Sequence, residues 1–269
     1  MRHAVYAPPF GTFGDVHVVV DLARRAETAG WDGFFLWDHV LHDSDAPFVD
    51  AWIALAAAAA ATERIRLGPM VTPLPRRRPW KVAREAVTLD HLSRGRLTLG
   101  VGLGIDFWRE YSAFAEPADD DVVRAELLDE GIEVLTRLFT GETVHHRGKR
   151  LVVDDVRYRP RPVQAPRIPI WSAAIVPVSR RGPVRRAARC DGVFPFRPGG
   201  VLSPEDVRAL RIAIEQERGD ADFDVCAGGR REELRELEAA GLTWRVEGFG
   251  DDTPLAEVQR VLDAGPPGR

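Results

Sequence analysis

Lysine is nearly missing from this chain. Of its 37 basic residues only Lys81 and Lys149 are lysines, which weighs against enzymes that work through a Schiff base, since these need a lysine at the reacting carbon. Cysteine is almost as scarce: Cys190 and Cys226 are the whole supply, too few for a disulfide framework or a metal knuckle, so both are expected as buried thiols. No segment reaches the ~20 apolar residues of a membrane span, and the amino terminus "MRHAVYAPPF" lacks the apolar run of a signal peptide. A net charge of -4 with both signs interspersed gives no broad basic face for nucleic acid or anionic lipid. The expectation is a cytoplasmic protein that handles a small molecule, without a nucleic-acid or membrane partner.

What the chain does contain is a repeating order of short apolar runs and helical segments. Eight runs are strand candidates: residues 3–7, 33–37, 65–71, 96–101, 168–172, 192–196, 223–227 and 243–247. Most are apolar on both faces, as parallel strands covered by helices are. Between the first two, "DVHVVVDLARRAETAG" repeats apolar residues at helical spacing and ends on Gly30. The alanine-rich stretch after Asp50 is read as a helix with Asp50 as its N-cap. Eight strand-helix units in 269 residues predict an α/β fold, a closed (βα)8 TIM barrel forming one domain over residues 1–269. An open doubly wound sheet is disfavoured, because the first strand runs into "APPFGTFGD" and not into a Gly-x-Gly-x-x-Gly turn. The rhythm breaks between the fourth and fifth strands, where an insertion is expected: a helix over 121–139, a hairpin containing His145, His146 and Lys149, then a proline-rich connector. The tail "AGPPGR" is expected to be loose.

Barrel active sites lie at the carboxyl ends of the strands. No lysine ends a strand, no His-x-His ends the first, and no pair of acids stands at matching depth, so aldolase, binuclear-metal and glycosidase chemistries are poorly supported and no metal site is expected. The strand ends instead carry aromatic and apolar residues and glycine, among them Tyr6, Trp37, Met70, Val71, Gly102, Trp171, Phe194 and Trp244, with a few polar groups: Asp38, His39, Thr72, Ser172 and Glu247. Such a rim suits a flat conjugated cofactor that brings its own reactivity. The aromatic residues can equally be packing, and an Asp-His pair at a strand end can simply cap a turn.

The long run from Asp50 to Gly104, together with "LARRAETAGWDGFFLWDH", "RPRPVQAPRIPIW", "RRAARCDGVFP" and "AGLTWRVE", resembles the bacterial luciferase-like monooxygenase superfamily over nearly the whole chain. The resemblance implies the same barrel and a bound coenzyme F-420 (a deazaflavin) or FMN. It places Asp38 and His39 against the cofactor, with His39 in proton transfer, for which an imidazole with an ordinary value near ~6.5 is suited. It also implies a non-proline cis peptide at Met70-Val71, though Pro69 could move it to an ordinary X-Pro bond. A phosphate-binding loop after strand five is implied too, where Ala173 and Ala174 stand in place of glycines and Arg180, Arg181, Arg185 and Arg186 could compensate. The candidate cofactor contacts are therefore Asp38, His39, Met70, Val71, Thr72, Gly102, Ala173, Ala174 and Phe194. Tyr6, Trp37 and Glu247 are candidate substrate contacts, with an arginine partner as the alternative for Glu247. The reading is an oxidoreductase passing hydride between the deazaflavin or FMN and a small organic substrate, by analogy a homodimer. Its rivals are a monooxygenase using reduced FMN and dioxygen, and a catalytically weak barrel that only binds a cofactor or partner.

Overall fold

A computed structural model describes residues 1–43, 45–116, 120–178, 181–219 and 222–268. The first half of the chain alternates strand and helix: β1 (Arg2–Ala7), α1 (Val16–Thr28), β2 (Gly33–Leu36), α2 (Ala51–Ala61), β3 (Arg66–Pro69), β4 (Thr72–Pro73), α3 (Pro79–Leu92) and β5 (Leu99–Gly102). Then come α4 (Asp121–Phe139), the hairpin β6 (Thr143–Arg147) and β7 (Val152–Arg157), β8 (Ile170–Ile175), α5 (Arg181–Ala188), β9 (Gly192–Phe196), α6 (Pro204–Arg218), β10 (Asp224–Gly228), α7 (Leu234–Ala239), β11 (Trp244–Gly248) and α8 (Leu255–Asp263). Nine strands pair in the order β3-β2-β1-β11-β10-β9-β8-β5-β4, all parallel. A parallel bridge between Leu67 of β3 and Leu97, two residues ahead of β5, closes this sheet on itself. The (βα)8 barrel expected from the sequence is thus formed, with β3 and β4 as two parts of its third strand.

The break between β3 and β4 is the cis peptide Met70-Val71; the Gly68-Pro69 bond is not among the cis bonds, so the alternative of an ordinary X-Pro bond there does not hold. The broken strand lies close to β5. A side-chain carbon added at Gly102 would stand 2.5 Å from Val71 Cγ2, which accounts for a glycine where a strand would ordinarily place a branched residue.

Strand parity sorts the core into two layers. Ala4, Phe35, Met70, Trp171, Cys226, Trp244 and Val246 fill the barrel interior, while Val5, Phe34, Leu36, Leu67, Leu99 and Val101 face the helices. The rings of Trp171 and Trp244 lie 5.5 Å apart at 66°, and both contact Phe35. Burying aromatic rings of this size contributes roughly 1.5–3 kcal/mol each. Trp171 and Trp244 are therefore packing, one of the two readings left open for them.

The helices start and stop where side chains dictate. Asp15 accepts from His17 N–H at the head of α1, and Asp50 accepts from Ile53 N–H at the head of α2. Gly30 ends α1 at φ +88°, a conformation that favours glycine. The helix expected over 121–139 is α4 with those bounds, and it lies beside α3 as the fourth barrel helix; only the β6–β7 hairpin and the loop before α4 are additions to the repeat. Glu130 of α4 fixes the hairpin turn by accepting from the N–H groups of Lys149, Arg150 and Leu151. The tail departs from expectation: α8 ends at Asp263, but Pro266 is buried, so the segment is seated on the barrel. Both cysteines are free and buried.

Candidate active site

A cavity of about 400 Å³ opens at the carboxyl end of the barrel. Tyr6, Trp37, His39 and Phe194 line it, together with Ile105, Trp108, Phe196, Arg197, Val201, Leu202 and three glycines, Gly200, Gly228 and Gly248. A hollow of about 530 Å³ on the outer wall, between Met1, α7 and the C-terminal turn, includes none of the predicted site residues.

His39 is held from behind. Its Nδ1 lies 2.8 Å from Glu110 Oε2, and the other carboxylate oxygen of Glu110 accepts from Val40 N–H at 2.7 Å and from Arg76 Nη1 at 2.9 Å. A carboxylate can only accept, so Nδ1 carries a hydrogen, and in the neutral ring it is Nε2 that keeps the lone pair. Nε2 has no hydrogen-bond partner among the described residues, and the ring lines the cavity. Trp108 stands edge-on to the imidazole with centroids 4.9 Å apart. Burial alone would raise the Glu110 carboxyl, but the hydrogen bond and charge of His39, the charge of Arg76 and the Val40 N–H outweigh it and hold Glu110 below its ordinary value.

Glu110 was not among the sequence candidates. It sits eight residues past β5 in "GIDFWREYSAF", a segment without periodicity. The loop is shaped by Asp106, which accepts from the N–H groups of Tyr111 and Ser112, and by the Tyr111 hydroxyl, which donates to Leu103 O. Gly104 takes φ +73°, and a side chain there would strike the Tyr111 hydroxyl. The consequence is a carboxylate turned inward and 1% exposed.

Asp38 departs from the catalytic and cofactor-contact roles expected of it. One carboxylate oxygen accepts from Thr72 Oγ at 2.8 Å and Trp52 Nε1 at 3.0 Å, and the other from Arg77 at 2.8 Å. Arg76 bonds its backbone carbonyl at 2.8 Å and reaches the carboxylate as well. With its side chain 1% exposed, no oxygen is left for a reacting molecule. Parity explains this: Phe35 points inward and Leu36 outward, so Trp37 and His39 fall on the cavity side and Asp38 behind the wall. Thr72 is fully buried in the same network, and Met70 is barrel core, so neither lines the cavity.

Val71, Gly102 and Ala173 meet one another on the inner wall but do not line the cavity. Ala174 faces the helical layer with Val193 and Val207, and Glu247, one step beyond inward-facing Val246, pairs with Arg245 at 2.7 Å and Arg231 at 2.9 Å. Glu247 is thus placed as an arginine partner, the alternative held open for it, and both expected contacts fail through the same parity. Ala173 and Ala174 also lie inside β8 and not in a loop. Of the arginines proposed to hold a phosphate, Arg186 is bound through two nitrogens to Asp129 and Arg185 pairs with Glu217; Arg180 lies outside the described residues.

The residues present fit a planar conjugated group. The cavity wall is largely aromatic and aliphatic, and glycines 228 and 248 leave open space where side chains would intrude.

The comparisons with known proteins agree with this geometry. The family model "Luciferase-like monooxygenase" matches residues 3–231. The chain belongs to that family. It is 35% identical over 243 residues to 4-hydroxyprotoasukamycin monooxygenase of Streptomyces nodosus subsp. asukaensis, covering 85% of this chain and 64% of that protein. It is 35% identical over 170 residues to the F-420-dependent glucose-6-phosphate dehydrogenase of Intrasporangium calvum, covering 61% of this chain and 49% of that one. The chain therefore spans about half of one of these relatives and just under two thirds of the other. Among solved structures, the coenzyme F-420 dependent tetrahydromethanopterin reductase of Methanopyrus kandleri superposes with a TM-score of 0.79 at 18% identity, covering 98% of each chain, a likeness of fold.

Proposed function

We propose that this family member is an oxidoreductase that exchanges hydride between coenzyme F-420 or FMN, bound across the barrel mouth, and a small organic substrate. The carrying observation is His39, whose Nδ1 is fixed by Glu110 and whose Nε2 is left open beside an apolar cavity. The bound cofactor would supply the hydride acceptor or donor. The chain's part is to hold the ring between aromatic walls, keep water out, and give or take at His39 Nε2 the proton that accompanies hydride transfer at a carbonyl or imine carbon. Glu110, Arg76 and Asp38 are positioning residues: Glu110 sets the tautomer, and Arg76 ties its carboxylate to Asp38. Of the sequence candidates, Tyr6, Trp37, His39 and Phe194 are retained as contacts, and Val71, Gly102 and Ala173 as the inner wall beneath the ring.

A monooxygenase using reduced FMN and dioxygen is the second reading, favoured by the 35% identity to 4-hydroxyprotoasukamycin monooxygenase over 85% of this chain. Titration of the purified protein with each cofactor, followed by absorbance and fluorescence, separates the readings. Saturable binding of oxidised deazaflavin supports the first and of reduced FMN the second; binding of neither leaves a barrel without redox function.

The proposal includes a homodimer. Helix α2 is apolar on every face, with Ile53 68% exposed, and a helix of that kind is ordinarily covered on both sides. Ile53→Lys should shift sedimentation toward the monomer. A cytoplasmic setting accords with a chain that holds only two cysteines, both free and buried. Among the described residues no helix is long and apolar enough to cross a membrane.

A further inference from the structure

We propose that Trp52, in the first turn of α2 and outside the cavity, is a positioning residue that sets how tightly His39 holds its proton. The inference rests on the proton-transfer role proposed for His39 and adds to it a residue that acts through Asp38, Arg76 and Glu110.

Trp52 is the second residue of α2, and with Leu55 and Ala59 it lies on the buried face of that helix. Packing alone does not call for an indole there. Trp171 and Trp244, buried for packing, leave Nε1 without a hydrogen-bond partner among the described residues. Trp52 instead divides its N–H between Asp38 Oδ2 at 3.0 Å and Thr72 Oγ1 at 3.1 Å. The Thr72 hydroxyl donates to the same carboxylate oxygen at 2.8 Å. The guanidinium of Arg77, which holds the other oxygen at 2.8 Å, lies over the Trp52 ring at 6.0 Å. Trp52 therefore bears on both oxygens of Asp38, on one directly and on the other through Arg77.

From Asp38 the connection runs toward the cavity. Arg76 straddles two carboxylates: Nη2 bonds the Asp38 carbonyl at 2.8 Å and stands 3.4 Å from Oδ1, while Nη1 bonds Glu110 at 2.9 Å. The opposite oxygen of Glu110 meets His39 Nδ1 at 2.8 Å. The side chains of Arg76, Asp38 and Glu110 are 5% exposed or less, so water does little to screen one charge from the next. How much of the Arg76 cation each acid receives depends on what else that acid holds. Without the indole N–H, Asp38 loses a donor, draws harder on Arg76 and leaves Glu110 with less of it. A less compensated Glu110 favours the imidazolium form of His39. The other ionisable groups near His39 are His42, which packs on Trp108 with centroids 4.7 Å apart, and Tyr6 and Arg197, which share the cavity wall. The substitutions below leave all three in place.

The test is a pH titration of the histidine ring nitrogens by NMR on the cofactor-free protein, with His39 assigned from the signals lost in His39→Gln. Trp52→Phe, which keeps a ring and removes the N–H, is expected to raise the His39 midpoint by about 0.5–1 pH unit, a roughly three- to tenfold tighter hold on the proton. Thr72→Val, which removes the second donor to the same oxygen, should raise it too, and decides the question if Trp52→Phe does not fold. Trp80→Phe alters a tryptophan of α3 with no bond into this network; it should cost some stability and leave the midpoint where it was. A residue that only packs would behave as Trp80 does. A midpoint unmoved or lowered in Trp52→Phe, or raised as far in Trp80→Phe, would overturn the inference. Because the titration needs no cofactor, failure of both cofactors to bind would sink the oxidoreductase reading and leave this result standing.

Discussion

The two halves of the barrel mouth are built on opposite principles. The half carried by β2 to β5 is a buried, charged lattice in which His39, Glu110, Arg76, Asp38, Arg77, Thr72 and Trp52 are joined by hydrogen bonds of 2.8–3.4 Å. The half carried by β8 and β9 is apolar and partly open, with Ile175 60%, Phe196 59% and Val201 51% exposed. The first half fixes one nitrogen to within the tolerance that proton transfer demands. The second half supplies room and leaves shape to the ligand. Rigidity is concentrated where charge must move, and adaptability where a ring must enter.

Removing a strut of the lattice should have the largest effect. Arg76→Ala strips Glu110 and Asp38 of a shared cation inside the protein, and is expected to cost about 3–5 kcal/mol of stability, as broken buried ion pairs do; chemical denaturation against wild type measures it. Next is His39→Ala, which should lower kcat by about 100-fold or more while cofactor affinity changes far less. Equal losses in both would reduce His39 to a binding residue. Glu110→Gln keeps the shape and removes the charge. Because the Glu110 carboxyl is held below its ordinary value in the fold, it adds stability above the unfolded carboxyl range near pH ~4.3, and that stability is lost as pH falls through the lowered value. The glutamine variant should therefore show a shallower fall in melting temperature on acidification, and a displaced pH profile of kcat/KM. The smallest effect belongs to the open half: Phe196→Ala should change KM by a few-fold, about 1 kcal/mol or less, with kcat little changed, since a side chain that exposed has little burial to lose. A large kcat loss there would erase the contrast between the halves.

How much of this was legible in the sequence follows the same divide. The eight strands could be read because a parallel strand is apolar on both faces, a local property, and the Asp50 cap because a helix head needs an oxygen within a few residues. His39 could be read from its place at a strand end. Its neighbour Asp38 was given the wrong side, although alternation from Phe35 outward already puts it behind the wall, and the same parity moves Ala174 and Glu247 out of the site. Glu110 and Arg76 could not be found by period at all. They come from irregular segments after β5 and β4 and meet only because the barrel brings those strand ends together. Two cues existed: an acid placed among the aromatics Phe107, Trp108 and Tyr111, and arginines that follow a strand end after two intervening residues in "PLPRRRPW".

The edge-on contact between Trp108 and His39 also makes the molecule its own indicator. A positively charged imidazole quenches a touching indole more than a neutral one does, so the light emitted by Trp108 reports whether the proton has arrived, and a single-tryptophan derivative would let that arrival be followed without any ligand present.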